Sequence, residues 1–176
     1  MTDVVSVWAT PRRYPRLVGE EFSVKLMDKS FIGYSETSSP IRVEATQLNL
    51  FLKALGETNP FFHDSAAAKA AGYRDVTIPP TYLFCLQMMT PPDSYAFYDR
   101  LGIHTGRMLH GEQGFRYHIP ICLGDVLTFH AKITNIYEKK GGALTMVERE
   151  TRVLNEVQQH MADITTINII RNDLGL

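Results

Sequence analysis

The sequence predicts an α+β fold in which one curved antiparallel sheet wraps around a long buried central helix. Apolar residues first recur at helical spacing, with Leu48, Phe51, Leu52 and Leu55 at i, i+3, i+4 and i+7. The stretch Tyr82–Met89 is then apolar on almost every side, the mark of a helix buried all round. Beyond it the period falls to two. Leu127, Phe129, Ala131 and Ile133 alternate with Thr128, His130, Lys132 and Thr134, as in a half-buried antiparallel strand.

Taken in order, residues 1–30 form an arm ahead of a domain that occupies residues 31–176. The arm's Arg12, Arg13 and Arg16 read as a solvated surface, with contact to ligand phosphates as the alternative. Phe31–Glu44 reads as extended chain broken by the turn Ser38-Ser39-Pro40. The first helix starts near Thr46 and stops at Gly56. A polar and aromatic loop, Glu57–Asp64, follows, and then a short alanine-rich helix over Ser65–Ala71 that ends at Gly72. Pro79-Pro80-Thr81 precedes the central helix, with Thr81 as a candidate N-cap. Pro91-Pro92 ends that helix or opens an irregular stretch to about Gly106. Gly114–Pro120 reads as a strand, turned at Leu123-Gly124-Asp125, where Asp125 accepts backbone N–H groups. Lys139-Lys140-Gly141-Gly142 leads into a strand over 143–154, and Asn155-Glu156 into a last strand over about 158–170.

A sheet must cover its apolar face, and the simplest cover here is the central helix, which makes the architecture a single hot dog. One sheet, one wrapped helix and one long curved edge imply pairing with a second copy or a similar chain. The 176 residues suffice for one core. A formal net charge of -1 offers no general attraction to nucleic acid or an anionic membrane, so neither is an expected partner. Cys85 and Cys122 read as small core residues, spaced neither as a disulfide scaffold nor as zinc ligands. No basic segment followed by an apolar core opens the sequence, and no apolar run reaches the ~18 residues that span a bilayer. The expected location is the cytoplasm.

Several motifs agree in order and spacing. Ala54–Asp64, the Ala66–Gly72 segment and Pro79-Pro80-Thr81 make one group, and His110-Gly111-Glu112-Gln113, Phe115-Arg116-Tyr117 and Pro120–Asp125 make a second. Together they resemble the MaoC-like hydratases and dehydratases over roughly residues 30–170, and most of all the N-terminal-type, fatty-acid-synthase-type dehydratase branch. The resemblance implies addition of water to a trans-2-enoyl thioester, giving the (3R)-hydroxyacyl thioester, or the reverse. In the catalytic branch an Asp and a His, five residues apart, hold and activate the water, and no metal is needed. A backbone N–H at the start of the central helix polarises the thioester carbonyl, where the helix dipole favours an enolate.

Carried onto this sequence, the family's Asp falls on Glu57 and its Asn-Pro on Asn59 and Pro60. Its His falls on Phe62, which cannot act as acid or base, with His63 one residue later. The resemblance thus names Glu57, His63 and Asn59 as the catalytic candidates, and Thr81, Tyr82, Phe62 and His110 as oxyanion or substrate-binding candidates. Pro79 and Pro80 lack N–H groups, so Thr81 or Tyr82 must supply any oxyanion donor. His110 reads as the start of a strand near an interface. His104, His118, His130 and His160 show no paired ligand spacing and are assigned no chemistry. No metal and no cofactor are expected. The expected ligand is a thioester of coenzyme A or acyl carrier protein, and the expected partner a second copy or a second MaoC-like chain. Three functions follow: a hydratase or dehydratase using Glu57 and His63, a binding subunit paired with a catalytic MaoC-like chain, and, resting on fold alone, a thioesterase.

Overall fold

A computed structural model of the chain describes residues 28–90, 97, 98, 101, 103 and 105–172. The predicted arm with Arg12, Arg13 and Arg16 lies outside them up to residue 27, as do Pro91, Pro92 and His104.

Six strands form one antiparallel sheet: β1 (Ser35–Thr37), β2 (Ile41–Arg42), β3 (Met108–Tyr117), β4 (Val126–Lys139), β5 (Leu144–Asn155) and β6 (His160–Arg171). Their order is β1-β4-β5-β6-β3, with β2 also on β4. Register shifts at Ile133/Asn135, Val153/Leu154 and His110/Glu112 bend the long strands, as bulges do, and curve the sheet. The strand expected from Gly114 begins six residues earlier, at Met108, and stops at Tyr117. Gly111 lies in the bulge, where an added Cβ would stand 2.9 Å from the Ile167 carbonyl oxygen.

Three α-helices accompany the sheet: α1 (Ala45–Leu55), α2 (Ser65–Ala70) and α3 (Tyr82–Met89). The left-handed Gly56 (φ 67°) ends α1, and the Asp64 carboxylate caps α2 by accepting the Ala67 N–H at 2.8 Å. Leu48 and Leu52 of α1 meet Leu83 and Leu86 of α3 over Leu127, Phe129, Val153 and Ile164 of the sheet in one core.

The central helix is buried on one side rather than all round. Tyr82, Leu83, Leu86 and Gln87 are buried, Phe84, Cys85 and Met88 are half-buried, and Met89 is 41% exposed. A single sheet covers only the helix side that faces it. Cys85 is therefore half-buried rather than a core residue, whereas Cys122 is buried as expected. With eight residues, α3 fills only part of the sheet's concavity. Phe97, Tyr98, Leu101 and Ile103 fill more of it, packing against Ile133, Ile136, Val147 and Ile170. The stretch expected to be merely irregular thus contributes core residues.

Candidate functional site

The loop Glu57–Asp64 is closed on itself. One carboxylate oxygen of Glu57 accepts the N–H groups of Thr58 (2.9 Å) and Asn59 (2.8 Å). Pro60–Phe62 makes one 3-10 turn, with the fixed φ of Pro60 at its start. The His63 Nε2 lies 2.9 Å from the Glu57 carbonyl oxygen. A carbonyl can only accept, so this nitrogen carries the proton. Glu57 and His63 therefore share one loop, and each is held by backbone rather than by the other's side chain.

The loop forms one wall of an apolar cleft of about 480 Å³. Phe61, Phe62 and Tyr73 line it from the loop side, and Pro80, Tyr117 and His118 from the other. The rings of Phe61 and Phe62 are packed at 4.3 Å, and those of Phe61 and Tyr73 at 5.3 Å. Phe62, where the family's imidazole is expected, is thus part of a hydrocarbon surface. The Tyr117 phenol donates to the Pro80 carbonyl oxygen at 2.8 Å, and burial pushes its pKa well above the ordinary tyrosine range.

Pro80 leads into α3. Thr81 is exposed, takes a helical backbone and makes no side-chain capping bond, so it holds the N-cap position without the expected cap. Its αR geometry turns the hydroxyl away from the first-turn N–H groups that an extended N-cap residue reaches. The Tyr82 N–H donates to Pro79 at 3.0 Å and is spent. The Thr81 and Leu83 N–H groups make no hydrogen bond among the described residues, and of these two donors at the helix start Thr81 is the exposed residue. The Tyr82 side chain points into the core against Phe51 (4.9 Å), away from solvent. His110 stands apart on β3, exposed, with its ring edge-on to Phe84 of α3 at 5.4 Å.

One constellation was missed by sequence reasoning. His118 Nε2 and His160 Nε2 each lie 2.7 Å from a different oxygen of Asp163, and the two imidazoles pack at 4.3 Å. Burial pushes the Asp163 carboxyl up, but the hydrogen bonds from His118 and His160 outweigh it and hold the group below its usual range. The spacing His160-x-x-Asp163 was visible in the sequence. The third member was not, because it depends on β3 pairing with β6 with Tyr117 opposite Ala162.

The family model for the FAS1-like dehydratase domain region matches residues 30–164. A UPF0336 protein of Thermobifida fusca is 31% identical over 148 residues, covering 84% of this chain and 95% of that one. Among solved structures, the C-terminally truncated HadBC (3R-hydroxyacyl-ACP dehydratase) complex of Mycobacterium tuberculosis superposes with a TM-score of 0.70 at 20% identity, covering 79% of this chain and 96% of that one. The ChsH1-ChsH2 complex of the same organism gives 0.64 at 18% identity, covering 80% and 91%. A MaoC-like dehydratase of Rhodospirillum rubrum gives 0.62 at 16% identity, covering 81% and 93%. The matched segment takes in the Asn-Pro loop, α3 and most of the curved sheet, and the chain belongs to the FAS1-like dehydratase-domain family of MaoC-like hot-dog proteins.

Proposed function

We propose that this chain is the acyl-binding subunit of a (3R)-hydroxyacyl-thioester dehydratase, or enoyl-thioester hydratase in the other direction. In this reading it works beside a second MaoC-like chain that brings the acid–base pair. The observation that carries the reading is that Phe62, on which the resemblance puts the family's imidazole, lines an apolar cleft. The backbone duties of Glu57 and His63 point the same way, because a group tied into its own loop is poorly placed to hold a reacting water. Two structural neighbours, HadBC and ChsH1-ChsH2, are described as complexes, which supports a paired arrangement.

Each residue then has a task. The cleft wall of Phe61, Phe62 and Tyr73 takes hydrocarbon from the acyl chain and excludes water from it. The Thr81 N–H, at the start of α3, donates to the thioester oxygen as charge develops there. The Asn59 backbone N–H holds the loop by donating to the Glu57 carboxylate. The thioester is carried by coenzyme A or acyl carrier protein. The water and the proton are handled by a carboxylate and an imidazole of the partner, with no metal in the step.

The test is hydration of crotonyl-CoA and longer enoyl-CoAs, followed by loss of enoyl-thioester absorbance. The chain alone is expected to be inactive and to gain activity when co-purified with a catalytic MaoC-like chain. Activity of the chain alone that disappears in His63→Ala would overturn the subunit reading and make this a self-sufficient hydratase using Glu57 and His63.

A further inference from the structure

We propose that His118, His160 and Asp163 bind a divalent transition-metal ion, zinc foremost, at the rim of the apolar cleft and outside the hydration chemistry. Each residue offers one ligand atom, and these atoms all lie within 4.8 Å of one another. Two imidazoles and one carboxylate are a zinc ligand set that leaves a fourth position open, and imidazole also suits nickel and cobalt.

The frame is rigid where it needs to be. His160 and Asp163 sit on β6, and the His118 and Ile119 N–H groups both donate to the Met161 carbonyl oxygen, at 2.9 and 3.1 Å. The third ligand is thus clamped to the strand that bears the other two. Each side chain is about one-third exposed (36%, 35% and 35%), which gives an ion a way in.

Little must move for binding. Tetrahedral zinc bonds of about 2.0–2.1 Å place neighbouring ligand atoms ~3.3 Å apart. The present Nε2–Oδ separations of 2.7 Å open slightly, and any ligand pair at the 4.8 Å limit closes by ~1.5 Å. Each neutral imidazole moves its ring proton from Nε2, where it serves Asp163, to Nδ1, and Nε2 is then free to ligate. The ion replaces two N–H donors to one carboxylate with one divalent cation that satisfies all three groups. His118 also lines the cleft, so the bound ion would brace the wall formed by the chain after β3.

The experiment is titration of the full, chelator-treated chain with Co²⁺, read by its visible tetrahedral absorption, followed by displacement with Zn²⁺. One ion per chain is expected, with zinc affinity at least tenfold weaker in His160→Ala and in Asp163→Asn and unchanged in His130→Ala. Circular dichroism establishes that the variants are folded. In nitrogen-labelled chain, Zn²⁺ is expected to shift the ring signals of His118 and His160. The absence of saturable one-to-one binding, binding unaffected by the two cluster variants, or ring shifts confined to other histidines would each overturn the site. Enoyl-CoA hydration reads on a different question, so either proposal can fail alone.

Discussion

The Tyr117 phenol donates its hydrogen bond to the carbonyl of Pro80, joining the end of β3 to the residue that precedes the free Thr81 N–H. Tyr117→Phe keeps the ring in the cleft wall and removes that tie. A loss of about 0.5–1.5 kcal/mol in stability is expected, read by denaturant unfolding. Weaker binding of an acyl-CoA should accompany it, because the helix start is less firmly placed.

The same phenol gives an alkaline signature. Its pKa is raised by burial, so between the unfolded and folded pKa values the native state holds a proton that the unfolded state has released. Stability from this group is fully present below the unfolded pKa of ~10 and falls as pH rises above it. Tyrosinate absorbance should show a late-titrating group that is absent in Tyr117→Phe, and the variant's stability should fall less steeply with pH.

Phe62→Ala should enlarge the cleft at its hydrocarbon wall. Affinity for a medium-chain acyl-CoA is expected to drop by about 1–3 kcal/mol, the range for losing a few apolar contacts in a pocket. The affinity for coenzyme A alone should stay unchanged, as calorimetric titration of both ligands would show.

The two sides of α3 should respond very differently to truncation. Leu86 is 0% exposed, and Leu86→Ala should cost ~2–5 kcal/mol. Met89 is 41% exposed, and Met89→Ala in the isolated chain should cost within ~0.5 kcal/mol. Urea unfolding of both variants reads the contrast.

Asp125 serves two partners. Its two carboxylate oxygens share one arginine nitrogen, Nη2 of Arg74, at 2.6 and 2.7 Å, and one of them also accepts the Cys122 N–H at 2.8 Å. Arg74→Ala removes a pair of which only the arginine is exposed (63% against 11% for Asp125) and leaves the carboxylate its Cys122 bond, so it should cost about 1 kcal/mol. Asp125→Ala also orphans the Cys122 N–H and should cost ~1–3 kcal/mol. Thermal unfolding would rank the two.

Periodicity revealed what local chemistry dictates. The limits of α3, the stop at Gly56 and the alternation along β4 follow from spacing and from single residues with special backbone needs. Asp125 accepting an N–H in its turn was equally legible. The core role of Phe97, Tyr98, Leu101 and Ile103 was not, because it comes from the volume a short helix leaves under a curved sheet. At the site, the motif grouped Glu57, Asn59, Phe62 and His63 into one loop, and the structure keeps them there. The loop's internal bonding, the missing cap at Thr81 and the meeting of His118 with His160 and Asp163 depend on rotamers and strand register, which no spacing encodes.

The strand order carries a consequence for synthesis. Among the described residues β3 pairs only with β6, so residues 108–117 wait for residues 160–171 before their edge is tied. A nascent chain can form α1 and α2 early, yet it cannot complete the sheet over α3 until Arg171 has left the ribosome. Until then the apolar sides of α3 and β4 are open to water and to chaperones, and a ribosome pausing within the last strand would prolong that exposure.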